Sequence, residues 1–152
     1  MDHAANISEA TCEIFSSMVM LDVSPKEARQ RTNPAFVKSI SGIVGLAGRV
    51  KGNLSIHLPA DVATAVTTAF LGMDVAEINE DVCDAIGELA NMLAGAVKTA
   101  LDPAGSDIKL SMPSTVYGDE YSLDCAHCGI SVLVPFELDG QEFSVELLLA
   151  ET

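Results

Sequence analysis

Apolar positions change their spacing several times along this chain, and each spacing predicts an element. Between residues 7 and 21, Ile7, Thr11, Ile14, Met18 and Leu21 recur every three or four places. That is one face of a helix, with Asn6 or Ser8 as its N-cap and Ser24-Pro25 beyond its end. From residue 40 the period becomes two. Ile40, Gly42, Val44 and Leu46, then Val50, Gly52, Leu54, Ile56 and Leu58, alternate with other residues, polar ones throughout the second run. A turn near Gly48 makes these half-buried strands a hairpin. Asp61 opens a second helix with Val62, Ala65, Val66, Ala69 and Phe70 inward, and Gly72 is its expected C-cap. The longest helix is expected over 79–101, stopped by Asp102-Pro103. Alternation returns at Ile108, Leu110 and Met112, again from Ile130 to Leu138, and again from Phe143 to Leu149. Asp139-Gly140 between the last two runs predicts a type I′ turn.

Strands and helices come in groups rather than in strict alternation. The expected class is therefore α+β: an antiparallel sheet of about five strands, two long helices packed on it and an N-terminal helix. No linker or low-complexity segment divides the chain, and 152 residues suit one domain over 1–152. With 49% apolar residues there is ample material for a core.

Charge narrows the partners. Eight Lys and Arg against 22 Asp and Glu leave a net charge of −14. Nucleic acid and an anionic membrane both need basic surface, so neither is an expected partner. A free small phosphate is repelled, but a phosphate carried on another protein beside that protein's own cations is less excluded. No apolar run reaches bilayer length, and Met1-Asp2-His3 lacks the basic flank of a secretory signal. A cytoplasmic protein with reduced thiols is expected.

Other constellations carry less. Cys125-Ala126-His127-Cys128 supplies three clustered metal-ligand types, with His57 a fourth only if strands align. A redox pair wants a helix after the first Cys, and here a strand follows. Ordinary thiols are expected, with no metal site. His57 falls on the polar side of its strand and reads as a surface residue; His3 reads as part of a frayed terminus. The Met residues sit mostly in apolar runs and read as core or near-core.

The long helix is different. At about 100° per residue, Val82, Ile86, Leu89, Leu93 and Val97 share one side. Asp84, Glu88, Asn91 and Lys98 share the other, with Gly95 among them. A solvated face accounts for charges alone. It does not account for Asn in a helix interior, where it competes for backbone hydrogen bonds. Nor does it account for Gly87 and Gly95, each costing about 1 kcal/mol relative to Ala. Small residues there would let a partner's backbone approach closely.

Asp84-x3-Glu88-x2-Asn91 within DVCDAIGELANMLAGAVKTAL resembles the signature of the CheC/CheX/FliY family, which hydrolyses the aspartyl phosphate of CheY-type response regulators. ISEATCEIFSSM, SGIVGLAGRVKGNLSIHLP, KLSMPSTVYG and VLVPFELDGQEFSVELLL are similar to that family's flanking elements, in order. One motif rather than two resembles its CheX members: Glu9 is followed three residues on by Cys12, and Glu13 by Ser16. The resemblance implies a chemotaxis phosphatase that is a homodimer through its β-sheet and acts on a phosphorylated receiver. It implies that Asn91 orients the attacking water and that Glu88 pairs with a receiver lysine. Asp84, Gly87 and Gly95 become docking positions. It also implies that this chain binds no cofactor, with Mg2+ held by the receiver. A non-catalytic module that docks a receiver or a flagellar switch component is the alternative.

Overall fold

Ile40, Val44 and Leu46 on one strand and Leu54, Ile56 and Leu58 on the next are fully or almost fully buried, and the helices lie against that shared face. The computed structural model describes residues 2–31, 35–123 and 128–150. Its elements in chain order are α1 (His3–Ile14), a π-helical turn (Phe15–Val19), β1 (Ser24–Pro25), β2 (Ala35–Gly48), β3 (Gly52–Pro59), α2 (Ala60–Leu71) and α3 (Glu80–Leu101). Four strands follow: β4 (Ile108–Leu110), β5 (Ser114–Ser122), β6 (Cys128–Leu138) and β7 (Gln141–Ala150). One antiparallel sheet runs β1-β6-β7-β3-β2-β4, with β5 also paired to β2. The expected α+β architecture holds, with seven strands rather than about five.

The two added strands explain their own absence from the pattern. β1 is two residues long. β5, Ser-Thr-Val-Tyr-Gly-Asp-Glu-Tyr-Ser, buries no residue fully because it lies at the sheet's edge. Without a buried face there is no apolar alternation to read. β4 and β5 are close to being one strand. Leu46 pairs with Leu110, the Ser111 amide donates to the Gly45 carbonyl, and Ile43 pairs with Ser114. Met112 and Pro113 therefore stand opposite Val44 alone, which is a β-bulge.

The helix ends follow local chemistry. Asn79 caps α3, its side chain accepting the Val82 amide, and Glu80 and Asp81 complement the dipole of the first turn. Gly72 ends α2 at φ 71°, as expected. Asp139 and Gly140 both have positive φ, as a type I′ turn requires. At the C-terminal end of α3 the Asp102 carboxylate accepts the amides of Gly105, Asp107 and Ile108, turning the chain into β4.

α1 departs from its expected form. Asp2, not Asn6 or Ser8, is the N-cap, accepting the Ala5 amide. His3 lies in the first helical turn, not in a frayed end. The π turn inserts an extra residue per turn, so Phe15 and Val19 point inward while Met18 points out. Phe15 stacks on Phe143 and Phe143 on Phe136, at centroid distances of 5.0 and 5.4 Å. The Met residues are a second correction in large part: Met18, Met20, Met73 and Met112 are exposed, while Met92 packs against the core as expected. α3 comes down tightly on β2 because Gly42 has no side chain. A Cβ there would lie 3.0 Å from the Ile86 carbonyl oxygen and 3.1 Å from the Ala90 Cβ.

Candidate functional site on the outer face of α3

Val82, Ile86, Leu89, Leu93 and Val97 are buried against the sheet. Leu89 and Leu93 lie behind the stripe, as the spacing predicts. On the outer side Asp84 and Glu88 are exposed, and Asn91, Gly95 and Lys98 are half-buried. Glu88 and Asn91 stand three residues apart, so the helix sets them about 60° and about 4.5 Å apart along its axis. Among the described residues no hydrogen bond or ion pair ties Asp84, Glu88 or Asn91 to the rest of the chain through its side chain. A carboxylate and a carboxamide are thus held on a rigid element with their bonding capacity free for something outside the chain.

The two glycines divide. A Cβ on Gly95 would meet nothing within 4 Å, so the helix stays open there. Gly87 is buried, and a Cβ there would lie 3.7 Å from Pro113 and 3.8 Å from Thr115. The close approach expected at the small residue Gly87 is made by the chain's own Pro113 and Thr115 rather than left to a partner. Lys98 is the lone Lys or Arg in the three helices, against Glu9 and Glu13 on α1, Asp61 on α2 and Glu80, Asp81, Asp84 and Glu88 on α3. The helical layer presents a negative field, which attracts a basic partner.

The opposite face of the sheet holds polar residues that the sequence reading missed. His57 is 3% exposed and Glu146 1%, so His57 is not a surface residue. Ser41 Oγ lies 2.7 Å from His57 Nδ1, and His57 Nε2 lies 3.0 Å from Glu146 Oε1. Arg31 Nε donates to Glu146 at 3.0 Å, and Tyr121 Oη is 2.8 Å from Ser41 Oγ. Phe36 stacks on His57 at 4.4 Å, and the Arg31 guanidinium lies over the Phe36 ring. One neutral tautomer satisfies the chain: Tyr121 O–H donates to Ser41, Ser41 O–H to Nδ1, and Nε2–H to Glu146. Burial pushes the His57 imidazole below its ordinary value, and the nearby Arg31 charge acts the same way; Glu146 opposes and is outweighed. Left-handed Lys38, at φ 44°, bends β2 so that Phe36 can fold over this face.

Both His57 nitrogens are engaged, so His57 is not waiting for a metal. Among the described residues no group of three or more His, Cys, Asp and Glu could hold one. Cys125, Ala126 and His127 lie outside the described residues, as does the Cys128 side chain. No described helix is long and apolar enough to cross a membrane.

The antiparallel sheet with its helical layer is the α+β fold of CheC-like and CheX-like proteins. The family model for "Chemotaxis phosphatase CheX" matches residues 40–137, and the chain belongs to that family. It is 26% identical over 126 residues to the CheY-P phosphatase CheX of Thermotoga maritima, covering 81% of this chain and 80% of that one. The crystal structure of the chemotaxis protein CheX from Desulfovibrio desulfuricans is 29% identical, with a TM-score of 0.86, covering 98% of this chain and 99% of that one. The CheX of the CheX–CheY–BeF3–Mg2+ complex from Borrelia burgdorferi shares the fold at 23% identity and a TM-score of 0.83, covering 99% of each chain.

Proposed function

We propose that this chain hydrolyses the aspartyl phosphate of a CheY-type receiver, with Asn91 orienting the attacking water and Glu88 docking a receiver lysine. The observation that carries the reading is the outward, unengaged Glu88/Asn91 pair on a helix whose other side is locked in the core. Family membership and the Thermotoga relative's activity on CheY-P support the substrate class. The Borrelia CheX–CheY–BeF3–Mg2+ complex supports a CheY-type receiver as partner.

An aspartyl phosphate is already an activated acyl phosphate, and its own receiver supplies the neutralising cations. One water must still be placed in line with phosphorus. A carboxamide does this without adding negative charge beside the phosphoryl oxygens. Glu88, about one turn earlier, sets the register through a charge-assisted hydrogen bond. Asp84 and Gly95 extend the docking stripe along the helix.

The protein acts in the cytoplasm as a homodimer whose sheets join. β6 carries β1 and the 26–29 segment along its outer edge, where Lys26 and Arg29 bond Pro135 and Leu133. β5 has no second partner strand among the described residues, so it is the edge for sheet continuation. The test is the decay of phosphorylated CheY-type receivers from the same cell, with and without the protein. Acceleration that Asn91→Ala abolishes is expected; unchanged decay for every receiver overturns the reading.

A further inference from the structure

Met112 is the most exposed large apolar side chain among the described residues, at 86%. Its backbone is fixed. The Ser111 amide donates to the Gly45 carbonyl, and Ser111 Oγ accepts the Gly45 amide at 2.8 Å while donating to the Met112 carbonyl at 3.0 Å. The next residue, Pro113, packs its ring against Gly87. Asn91 lies four residues beyond Gly87, about one turn along the same side of α3. A bulge at a sheet edge re-aims a side chain, and this one leaves Met112 exposed beside Pro113, which packs on the turn of α3 that precedes Asn91. A long thioether side chain left mostly exposed on a fixed backbone contributes little packing within the chain.

We infer that Met112 is a docking residue for the phosphorylated receiver, covering an apolar part of the receiver's surface beside its aspartyl phosphate. This rests on the proposed phosphatase reading and adds the apolar half of the contact. The occupant follows from position. A receiver whose phosphoryl group reaches Asn91 lies against α3 about one turn, roughly 6 Å, from Gly87, where Pro113 of the bulge packs. Met suits a contact that engages and releases at each turnover, because its flexible, polarisable side chain adapts to the surface it meets.

The test compares wild type, Met112→Ala, Met112→Asp, Met112→Leu and Asn91→Ala in phosphate release from an acetyl-phosphate-labelled CheY-type receiver of the same cell. Met112→Ala should raise KM roughly fivefold to tenfold, the loss of one apolar contact, with kcat within about twofold. Met112→Asp should raise KM further, and Met112→Leu should restore it. Melting temperatures should not move, since the side chain touches little. If Asn91→Ala loses turnover but Met112→Ala and Met112→Asp keep wild-type KM, the inference fails and the phosphatase reading stands. If wild type itself releases no phosphate, both fail. If Met112→Asp leaves KM alone and changes the sedimentation of the protein, the occupant is a second copy and the inference is overturned.

Discussion

The outer face of α3 and the outer face of the sheet are both rows of polar side chains on amphipathic elements, yet they are built in opposite ways. On the sheet, Ser41, His57 and Glu146 are buried, and each bonds a neighbour within the chain. On the helix, Glu88 and Asn91 face outward, and no described neighbour bonds their side chains. A satisfied polar network stabilises a fold and offers nothing to a substrate. An unsatisfied pair on a rigid scaffold contributes nothing to the fold and is available for chemistry. The difference separates structural polarity from functional polarity more reliably than residue type does. Ser, His and Glu within hydrogen-bonding reach look more like a hydrolase than Glu and Asn do, but Ser41 is 0% exposed and no substrate can reach it.

The largest effect should come from breaking the buried side. Glu146→Ala removes the carboxylate that Arg31 and His57 both bond, and removing one member of a buried pair costs about 3–5 kcal/mol. Urea denaturation should show that loss, while turnover per folded molecule stays near wild type. A drop in turnover without loss of stability would mean the sheet face takes part in the chemistry. The converse holds on the helix. Asn91→Ala should lower kcat by about 10²-fold or more, in the range of lost transition-state positioning, with urea midpoints unchanged. Asn91→Asp should be at least as damaging at nearly the same volume, because it sets a carboxylate against phosphoryl oxygens. Near-normal turnover by Asn91→Asp would point to a carboxylate general base instead.

Glu88→Ala should act less on kcat and more on association, because its lysine partner is present before attack begins. An increase in receiver Kd of about fivefold to tenfold fits a partly screened, charge-assisted contact. Added salt should weaken wild-type association and have a smaller effect on Glu88→Ala. Equal salt sensitivity in both would move the electrostatic contact to another residue.

The sequence made the helical face legible and hid the sheet face, for a physical reason. α3 has one buried side, so a 3.6-residue period alone tells which residues face out. Asn91 and the small residues then mark the outer side as more than solvated surface. β3 has two buried sides, because Phe36 and Arg31 fold over what its alternation marks as polar and exposed. That cover depends on left-handed Lys38 and on pairing with β5, an edge strand whose composition gives little strand signal. The bulge was hidden too. Met112 continues the alternation of Ile108 and Leu110, and only Pro113 after it signals that the ladder breaks there. The π turn after α1 has no local signature, and it turned an expected inward Met18 outward.

Acid should act on the two faces unequally, and the smallest expected effect is the sharpest probe of that. Burial, with Arg31 nearby, holds His57 below its ordinary 6.5 despite the opposing Glu146. A group lowered in the folded state binds fewer protons there than in the unfolded chain, so stability falls as pH drops below about 6.5. For Glu146, burial alone would push the carboxyl up, but the His57 hydrogen bond and the His57 and Arg31 charges outweigh it and leave it below 4.5. Its contribution is present above the unfolded value and is lost as pH falls below that value. The two windows follow one another, and both slope towards loss in acid. Wild type should therefore lose stability between pH 7.5 and 5.5 through His57 and again below about 4.5 through Glu146. His57→Gln keeps a donor and an acceptor beside Ser41 and Glu146 but cannot titrate. Its urea midpoint should be lower at pH 7.5 and change less between pH 7.5 and 5.5, while the acid limb below remains. If wild type and His57→Gln decline in parallel over the upper interval, the acid sensitivity lies outside this network.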